Sequence, residues 1–310
     1  HSGSNEARRT FDSVSSLDLA RAKVAELSQR ASSERRRAAR AAAIAAEDEA
    51  RLDSAPTSLR ALRLRMIELH RRLEGRHLQS ARLQELHAAR PERWTFQYDR
   101  STAWPTFIEA VASAIGRESA AVTLIGKDGA ESLVAASNQI ARIIHDVEFV
   151  TGEGPAHDVV ATLNTVQVAG DDLPKRWPRY GGIAVENGVR SVISVPLRQE
   201  PGGCIGALSV YDAMPVITPE VAATSARVAD ALTHTVLNVP GTVADDEVPA
   251  VPMFDEADFL AIVHQAAGVV TVQMSCETAD AIALLRARAF SDGLPLETLA
   301  RRVINGDVRL

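Results

Sequence analysis

Near the start of the chain, apolar positions recur three and four residues apart. Leu17, Ala20, Val24, Leu27 and Ala31 take the places of heptad a and d residues, after which the stripe thins to alanine. Beyond a break at Ser54-Ala55-Pro56-Thr57, the residues Leu59, Leu62, Met66, Leu69 and Leu73 repeat that spacing, with Leu83 still in phase. The pattern predicts a helical hairpin or two coiled-coil segments over 5–92. A stripe this narrow needs a partner helix, so a homodimer through this coiled coil is expected.

Further along, the period switches. A helix is predicted from about 104 to 116, then two strand-like runs, Ala121-Val122-Thr123-Leu124-Ile125 and Ser132-Leu133-Val134-Ala135-Ala136, around the turn Lys127-Asp128-Gly129. A second hairpin joins Ser191-Val192-Ile193-Ser194-Val195-Pro196-Leu197 to Cys204-Ile205-Gly206-Ala207-Leu208-Ser209-Val210-Tyr211, and a long helix is predicted over 219–237. Strands that pair locally between helices indicate an antiparallel sheet with flanking helices. Residues 238–254, with Pro240, Pro249, Pro252 and the run Asp245-Asp246-Glu247, have the composition of a linker.

The 3.6-residue period returns after the linker. Asp255 is the expected N-cap, with Phe254 and Phe259 spaced as a hydrophobic staple. Phe259, Ile262, Val263, Ala266 and Val270 share one face of a first helix. Ala281, Ile282, Leu285 and Ala289 mark a second that stops at Asp292-Gly293, and Leu296, Leu299, Ala300 and Val303 a third that ends at Asn305-Gly306. Short helices with one apolar face each must pack on one another, so 255–310 is expected to be a three-helix bundle. The whole is a multidomain α+β chain.

Composition narrows the functions open to it. The 310 residues are 46% hydrophobic, enough for two or three packed units. With 34 basic and 40 acidic side chains the net charge is −6, so charge alone does not make the chain a nucleic-acid binder. Only residues 1–92 are basic, with 18 basic against 13 acidic side chains. There Arg35-Arg36-Arg37 and Arg40 suit either a nucleic-acid contact or a solvated helix face. No apolar run reaches the ~18–20 residues that cross a bilayer, and the first residues lack a signal-peptide core. No membrane partner and a cytoplasmic location are therefore expected. Cys204 and Cys276 have no metal or disulfide spacing, and with no Ser/His/Asp order or paired-carboxylate motif the chain is not expected to be an enzyme.

Gly152-Glu153-Gly154-Pro155, then Trp177-Pro178, then Gly188-Val189-Arg190-Ser191 leading to Val195-Pro196-Leu197 and Ile205-Gly206-Ala207-Leu208, resemble a GAF domain over roughly 100–237. The resemblance implies a sensory module: a central antiparallel sheet with helices on one face, and on the other a small-molecule pocket or a dimer surface. The signature of cyclic-nucleotide GAF domains is missing, and the several cysteines of methionine-sulfoxide-reducing relatives are reduced to Cys204, so the ligand is not named. Val263-His264-Gln265-Ala266-Ala267-Gly268, then Ala281, Leu285-Arg286 and Leu299-Ala300-Arg301-Arg302-Val303, resemble an ANTAR domain over 255–310. That implies a three-helix module that binds RNA with paired hairpin loops and prevents transcription termination. The pair implies a bacterial regulator in which a GAF sensor controls ANTAR output. One position departs from the pattern: Ala267 stands where the family commonly has lysine.

The candidate residues follow. For RNA they are His264 and Gln265, which face away from the apolar stripe, with Arg286, Arg288, Arg301 and Arg302. Arg286 is equally placed for an ion pair with Asp280 or Glu277, while Arg301 and Arg302 also suit the negative end of a helix. For the sensory pocket they are His145, His157 and Cys204, as ligands of a metal, haem or chromophore or as ordinary core residues. The Gly-Glu-Gly-Pro run lacks the Gly-Lys-Ser/Thr of a phosphate loop and reads as a structural turn. The competing function is a sensory or scaffolding dimer whose C-terminal bundle binds protein rather than RNA, favoured by Ala267 and by eight acidic against five basic side chains over 255–310.

Overall fold

The computed structural model describes residues 3–89, 106–125, 131–199, 202–237, 259–292, 294 and 296–310. The linker 238–254, the cap and staple at Asp255 and Phe254, and the tip of the first β-hairpin lie outside the described residues. The chain is mixed helix and sheet: long N-terminal helices, a five-stranded antiparallel sheet with flanking helices, and three C-terminal helices.

Helices α1 (Gly3–Ala50) and α2 (Thr57–Ala88) form an antiparallel hairpin. The turn between them is closed by Arg60, which donates to the carbonyls of Ala55 and Asp53 at 3.2 and 3.1 Å. The a/d row of α1 does not thin out where alanine takes over. Leu27, Ala31, Ala38, Ala41 and Ala45 keep the phase and are all buried. Their small side chains line a seam along which Arg63, Arg71, His77 and Glu85 of α2 pair with Asp48, Glu49, Glu34 and Arg35. The α1 stripe therefore finds its partner helix within the same chain. The leucine stripe of α2 points elsewhere: Leu59, Leu62, Met66 and Leu69 are 47%, 58%, 37% and 43% exposed. Of the basic run, Arg35 and Arg37 are taken by Glu85 and Glu34.

The sheet consists of β1 (Ser119–Ile125), β2 (Glu131–Ala136), β3 (Val166–Ala169), β4 (Ser191–Gln199) and β5 (Gly203–Asp212), in the order β2-β1-β5-β4-β3 with every pair antiparallel. Both hairpins expected from the period-2 runs are present, and the third strand, β3, closes the far edge. Gly206 is required where β5 crosses β1: a Cβ there would lie 1.9 Å from the Thr123 carbonyl oxygen.

Helices cover both faces of this sheet, not one. On the first, α3 (Thr106–Ile115) and α8 (Pro219–Leu237) bury Phe107, Ile108, Val111, Val228 and Leu232 against Val122, Ile193, Leu208 and Val210. The end of α2 joins them through Leu83 and through Arg76, which makes a two-pronged pair with Asp230 at 2.8 and 2.9 Å. On the second face lie α4 (Gln139–Thr151), α5 (Pro155–Thr162), α6 (Asp172–Arg176) and α7 (Pro178–Glu186), with Ile144, Val159, Leu173, Trp177 and Tyr180 packed on Val192, Ala207 and Tyr211. Strand β4 is buried on both sides for this reason, and its apolar residues run on without alternation.

The last three helices, α9 (Phe259–Met274), α10 (Thr278–Asp292) and α11 (Leu296–Ile304), share a core of Val263, Ala266, Val270, Ala281, Leu285, Ala289, Leu296, Leu299 and Val303. That core is continuous with Val134 of the edge strand β2 and Phe149 of α4. The bundle covers the sheet edge that would otherwise be open to pairing. Among the described residues no helix is long and apolar enough to cross a membrane.

Candidate functional site

Two regions hold the candidate residues, and helix α4 belongs to both. Asn138 caps it, its Oδ1 accepting from the Ala141 amide at 2.9 Å, and Gly152 ends it in the left-handed conformation at φ 66°. Ala141, Ile144, His145 and Glu148 sit on one buried face, and Arg142, Asp146 and Phe149 on another, at i, i+4 and i+7. Both faces of the helix are in contact with neighbours, and polar side chains are buried on it beside apolar ones.

The first region is the interior between the sheet and α4–α7. Glu148, fully buried, turns its Oε1 onto the first turn of α5 and accepts from the Ala156 and His157 amides at 2.6 and 2.9 Å. A carboxylate there meets the unsatisfied N–H groups and the positive end of the helix. Glu153 does the same for α7, accepting from the Arg179 and Tyr180 amides at 2.5 and 3.0 Å. The Gly-Glu-Gly-Pro run is thus a structural turn whose acid caps a neighbouring helix. Gly154 is needed because a Cβ on it would lie 2.7 Å from the Glu148 side chain.

His145 is buried, with Nε2 3.1 Å from the Thr123 hydroxyl on β1. Burial, with Arg142 and then His157 adding to it, lowers its pKa to about 3. It is therefore a neutral imidazole at neutral pH. His157 lies close by, its Nδ1 3.4 Å from Glu148 Oε1. The structure brings these two candidates together, but not the third. Cys204 is at the β4–β5 hairpin end, in register with Arg198, with its Sγ 3.0 Å from the Gly206 carbonyl oxygen. Among the described residues no cluster of His, Cys, Asp or Glu is arranged to hold a metal ion.

Three side chains that sequence reasoning did not propose as site residues complete this region: Trp177, Tyr180 and Glu148. Trp177 and Tyr180 meet edge to face at 5.5 Å. Trp177 Nε1, the Tyr180 hydroxyl and Glu148 Oε2 are buried with no hydrogen-bond partner among the described residues. Burial, then Tyr211 and Glu148, hold the Tyr180 hydroxyl well above its ordinary pKa. Each such atom costs about 1–3 kcal/mol while it stays unmet, so a small polar molecule that met several of them would gain that energy back. The only sequence signal was Trp177-Pro178, a motif whose apolar bulk conceals its polar atoms.

The second region is the outward face of α9–α11. His264 and Gln265 are exposed on α9 as expected. Arg288 pairs with Asp292 at 2.7 Å and Arg301 with Glu297 at 2.8 Å, both one turn apart along their helices. Arg302 is exposed and, among the described residues, makes no ion pair. Arg286 stacks on α4: its guanidinium carbon lies 3.6 Å from the centroid of the Phe149 ring. Glu297 in turn receives Arg142 of α4 at 2.7 Å. Ala267 is fully buried, in the cluster that holds Val134 and Phe149. A lysine there would have to bury its ammonium, so alanine is what lets α9 lie against the sheet edge.

Asp146 is enclosed at the same junction, 3.5 Å from Arg142. Burial pushes its pKa up to about 7, against the pull of Arg142 and with Glu297 adding to the rise.

The chain is similar to the crystal structure of a domain assigned to a two-component sensor histidine kinase protein from Sinorhizobium meliloti 1021. The two share 19% sequence identity and a TM-score of 0.34, over 42% of this chain and 84% of that one. No family model and no curated protein matches the chain.

Proposed function

We propose that the chain is a ligand-responsive, RNA-binding regulator of transcription antitermination, with a GAF-like sensor over 100–237 controlling an ANTAR-like unit over 255–310. The observation that carries this reading is the compact α9–α11 unit, on which His264, Gln265, Arg288, Arg301 and Arg302 are each exposed. Cationic side chains neutralise phosphates, and polar groups beside them reach the edges of unstacked loop bases. The signal is a small polar molecule received among Glu148, Trp177 and Tyr180. No catalytic step is part of this function, and its place is the cytoplasm.

Titrating the full chain with an RNA that carries two paired hairpin loops tests it. Binding is expected to weaken as salt rises, and Arg301→Ala with Arg302→Ala is expected to cost tenfold or more. Absence of binding at low salt, for the wild type and for variants altered only in the sensor, overturns it.

In this reading the working form is a homodimer joined by the leucine stripe of α2, which the hairpin leaves exposed. Leu62→Glu with Leu69→Glu is expected to turn a dimer into a monomer in sedimentation.

One observation favours the protein-binding alternative. Val272, Met274 and Leu284 are exposed on α9 and α10, Val272 at 81%. Recovery of a partner protein unaffected by ribonuclease, and lost on Val272→Asp, would support a scaffolding dimer in place of the RNA regulator.

A further inference from the structure

We infer that the C-terminal unit is latched onto the sensor in a way that withholds one of its RNA candidates: Arg286 stacked on Phe149, and Glu297 gripped by Arg142, must let go before Arg286 can join the exposed candidates on RNA. This rests on the RNA reading above and adds its regulation. Arg286 cannot reach a phosphate or a base while its guanidinium lies 3.6 Å over the Phe149 ring. A cation on an aromatic face away from water is held by the ring quadrupole and by lost hydration on both sides. The second contact is a hydrogen-bonded pair, Arg142 Nη2 to Glu297 Oε2 at 2.7 Å, with the arginine side chain only 14% exposed. Between the two, Val134 and Phe149 share one buried cluster with Val263, Ala266 and Ala267, so α9 rests directly on the sensor.

Both of these contacts reach the sensor on one face of α4, at Arg142 and Phe149. The other face of the same helix holds His145 and Glu148, which point into the sensory interior. A molecule that re-engages Glu148 would draw on the hydrogen bonds fixing α4 to α5, and a small rotation of α4 moves Phe149 from under Arg286. Packed helices shift between discrete arrangements, which suits a two-state latch. Apparent RNA affinity is the intrinsic affinity reduced by the fraction of chains that are open, so a latch closed about nine times in ten weakens binding about tenfold.

The test uses the full chain and two variants altered only on the sensor side, Phe149→Ala and Arg142→Glu. RNA with two paired hairpin loops is titrated, and amide hydrogen exchange is followed in 263–270. Both variants are expected to bind about tenfold tighter than the wild type and to exchange faster in α9. Arg142→Glu combined with Glu297→Arg, read by exchange alone, is expected to restore slow exchange. Equal RNA affinity of wild type and variants overturns the latch and leaves the RNA reading standing. Unchanged exchange in both variants also overturns it. Absence of RNA binding even in variants with fast exchange removes the RNA reading itself, and the latch as its regulator.

Discussion

On one face of the sheet, α3 and α8 bury the large side chains Phe107, Ile108, Val111 and Leu232, with Glu109, Ser225 and Thr233 of the same helices buried beside them. On the other, α4–α7 bury comparable apolar bulk but mix into it a carboxylate, an imidazole, an indole N–H and phenol hydroxyls, some of them unmet. The first arrangement draws its stability chiefly from large apolar side chains. The second places more polar atoms deep in the core, and in the proposed reading these receive the ligand and α4 links them to the C-terminal unit. Stability concentrated on one face leaves the other free to change.

The largest effect is expected on the apolar face. Phe107→Ala opens a cavity under α3 and is expected to cost about 3–5 kcal/mol in denaturant unfolding. A loss under about 1 kcal/mol would mean that this face is loosely packed and that the comparison fails at its stable side. Next comes Glu148→Ala, expected to cost about 2–3 kcal/mol because two amides of α5 lose a charged acceptor in a buried place. That variant should also raise proteolysis between α4 and α5, since the turn at Gly152–Pro155 is held chiefly by this carboxylate.

Proton linkage acts on both sides of the sheet and at the junction with the C-terminal unit. Asp146 is raised from 3.8 to about 7 in the folded chain, so the folded state holds a proton that the unfolded state has released, and stability falls as pH rises from about 4 to about 7. Asp146→Asn is therefore expected to be more stable than the wild type by about 1–2 kcal/mol above pH 7, with the gap closing toward pH 4. The groups facing it are Arg142 and Glu297, so Glu297→Gln should shrink the same gap. His145 and His87 run the other way. Held at about 3 and about 4 against an ordinary 6.5, they are neutral in the fold, and stability is lost as pH falls from 6.5 toward those values. Unfolding midpoints between pH 4 and pH 8 decide both signs.

What the sequence made legible follows the physics of periodicity. The β1–β2 and β4–β5 hairpins and α8 were readable because short strand-like runs joined by turn residues, and a helical stripe, are properties of single local segments. Helix α4 was not: His145, Asp146 and Glu148 are buried among its apolar residues, and which neighbour each side chain answers to is set by helices far along the chain. The helical hairpin was legible, but not which stripe closes it: the alanines of α1 lie buried in it, and the leucines of α2 are left exposed. Of the candidate sites, His264 and Gln265 were legible from their helical phase alone. The stacking of Arg286 on Phe149 was not, since no local rule links a residue of α10 to one of α4, and the resemblance carried no information about how the two units meet. Sequence likewise gave no sign that Glu148 and Glu153 are helix caps, because each acts on a helix later in the chain.

The smallest effect discriminates most sharply. Tyr180→Phe removes a hydroxyl that is fully buried and without a hydrogen-bond partner among the described residues, and keeps the ring that meets Trp177 edge to face. If the α4–α7 face does hold polar atoms in reserve, deleting this one relieves a desolvation penalty and loses no bond. Unfolding free energy should then change by less than about 1 kcal/mol, toward greater stability. A loss above about 2 kcal/mol would mean that the hydroxyl is already satisfied in the folded chain, and the two faces would differ in composition only. The same variant sharpens the ligand question, because a molecule that hydrogen-bonds Tyr180 raises the midpoint of the wild type by mass action and that of the variant by less. Equal shifts in both proteins would move the ligand contact away from Tyr180 to Trp177 and Glu148, where Trp177→Phe repeats the measurement on the indole N–H.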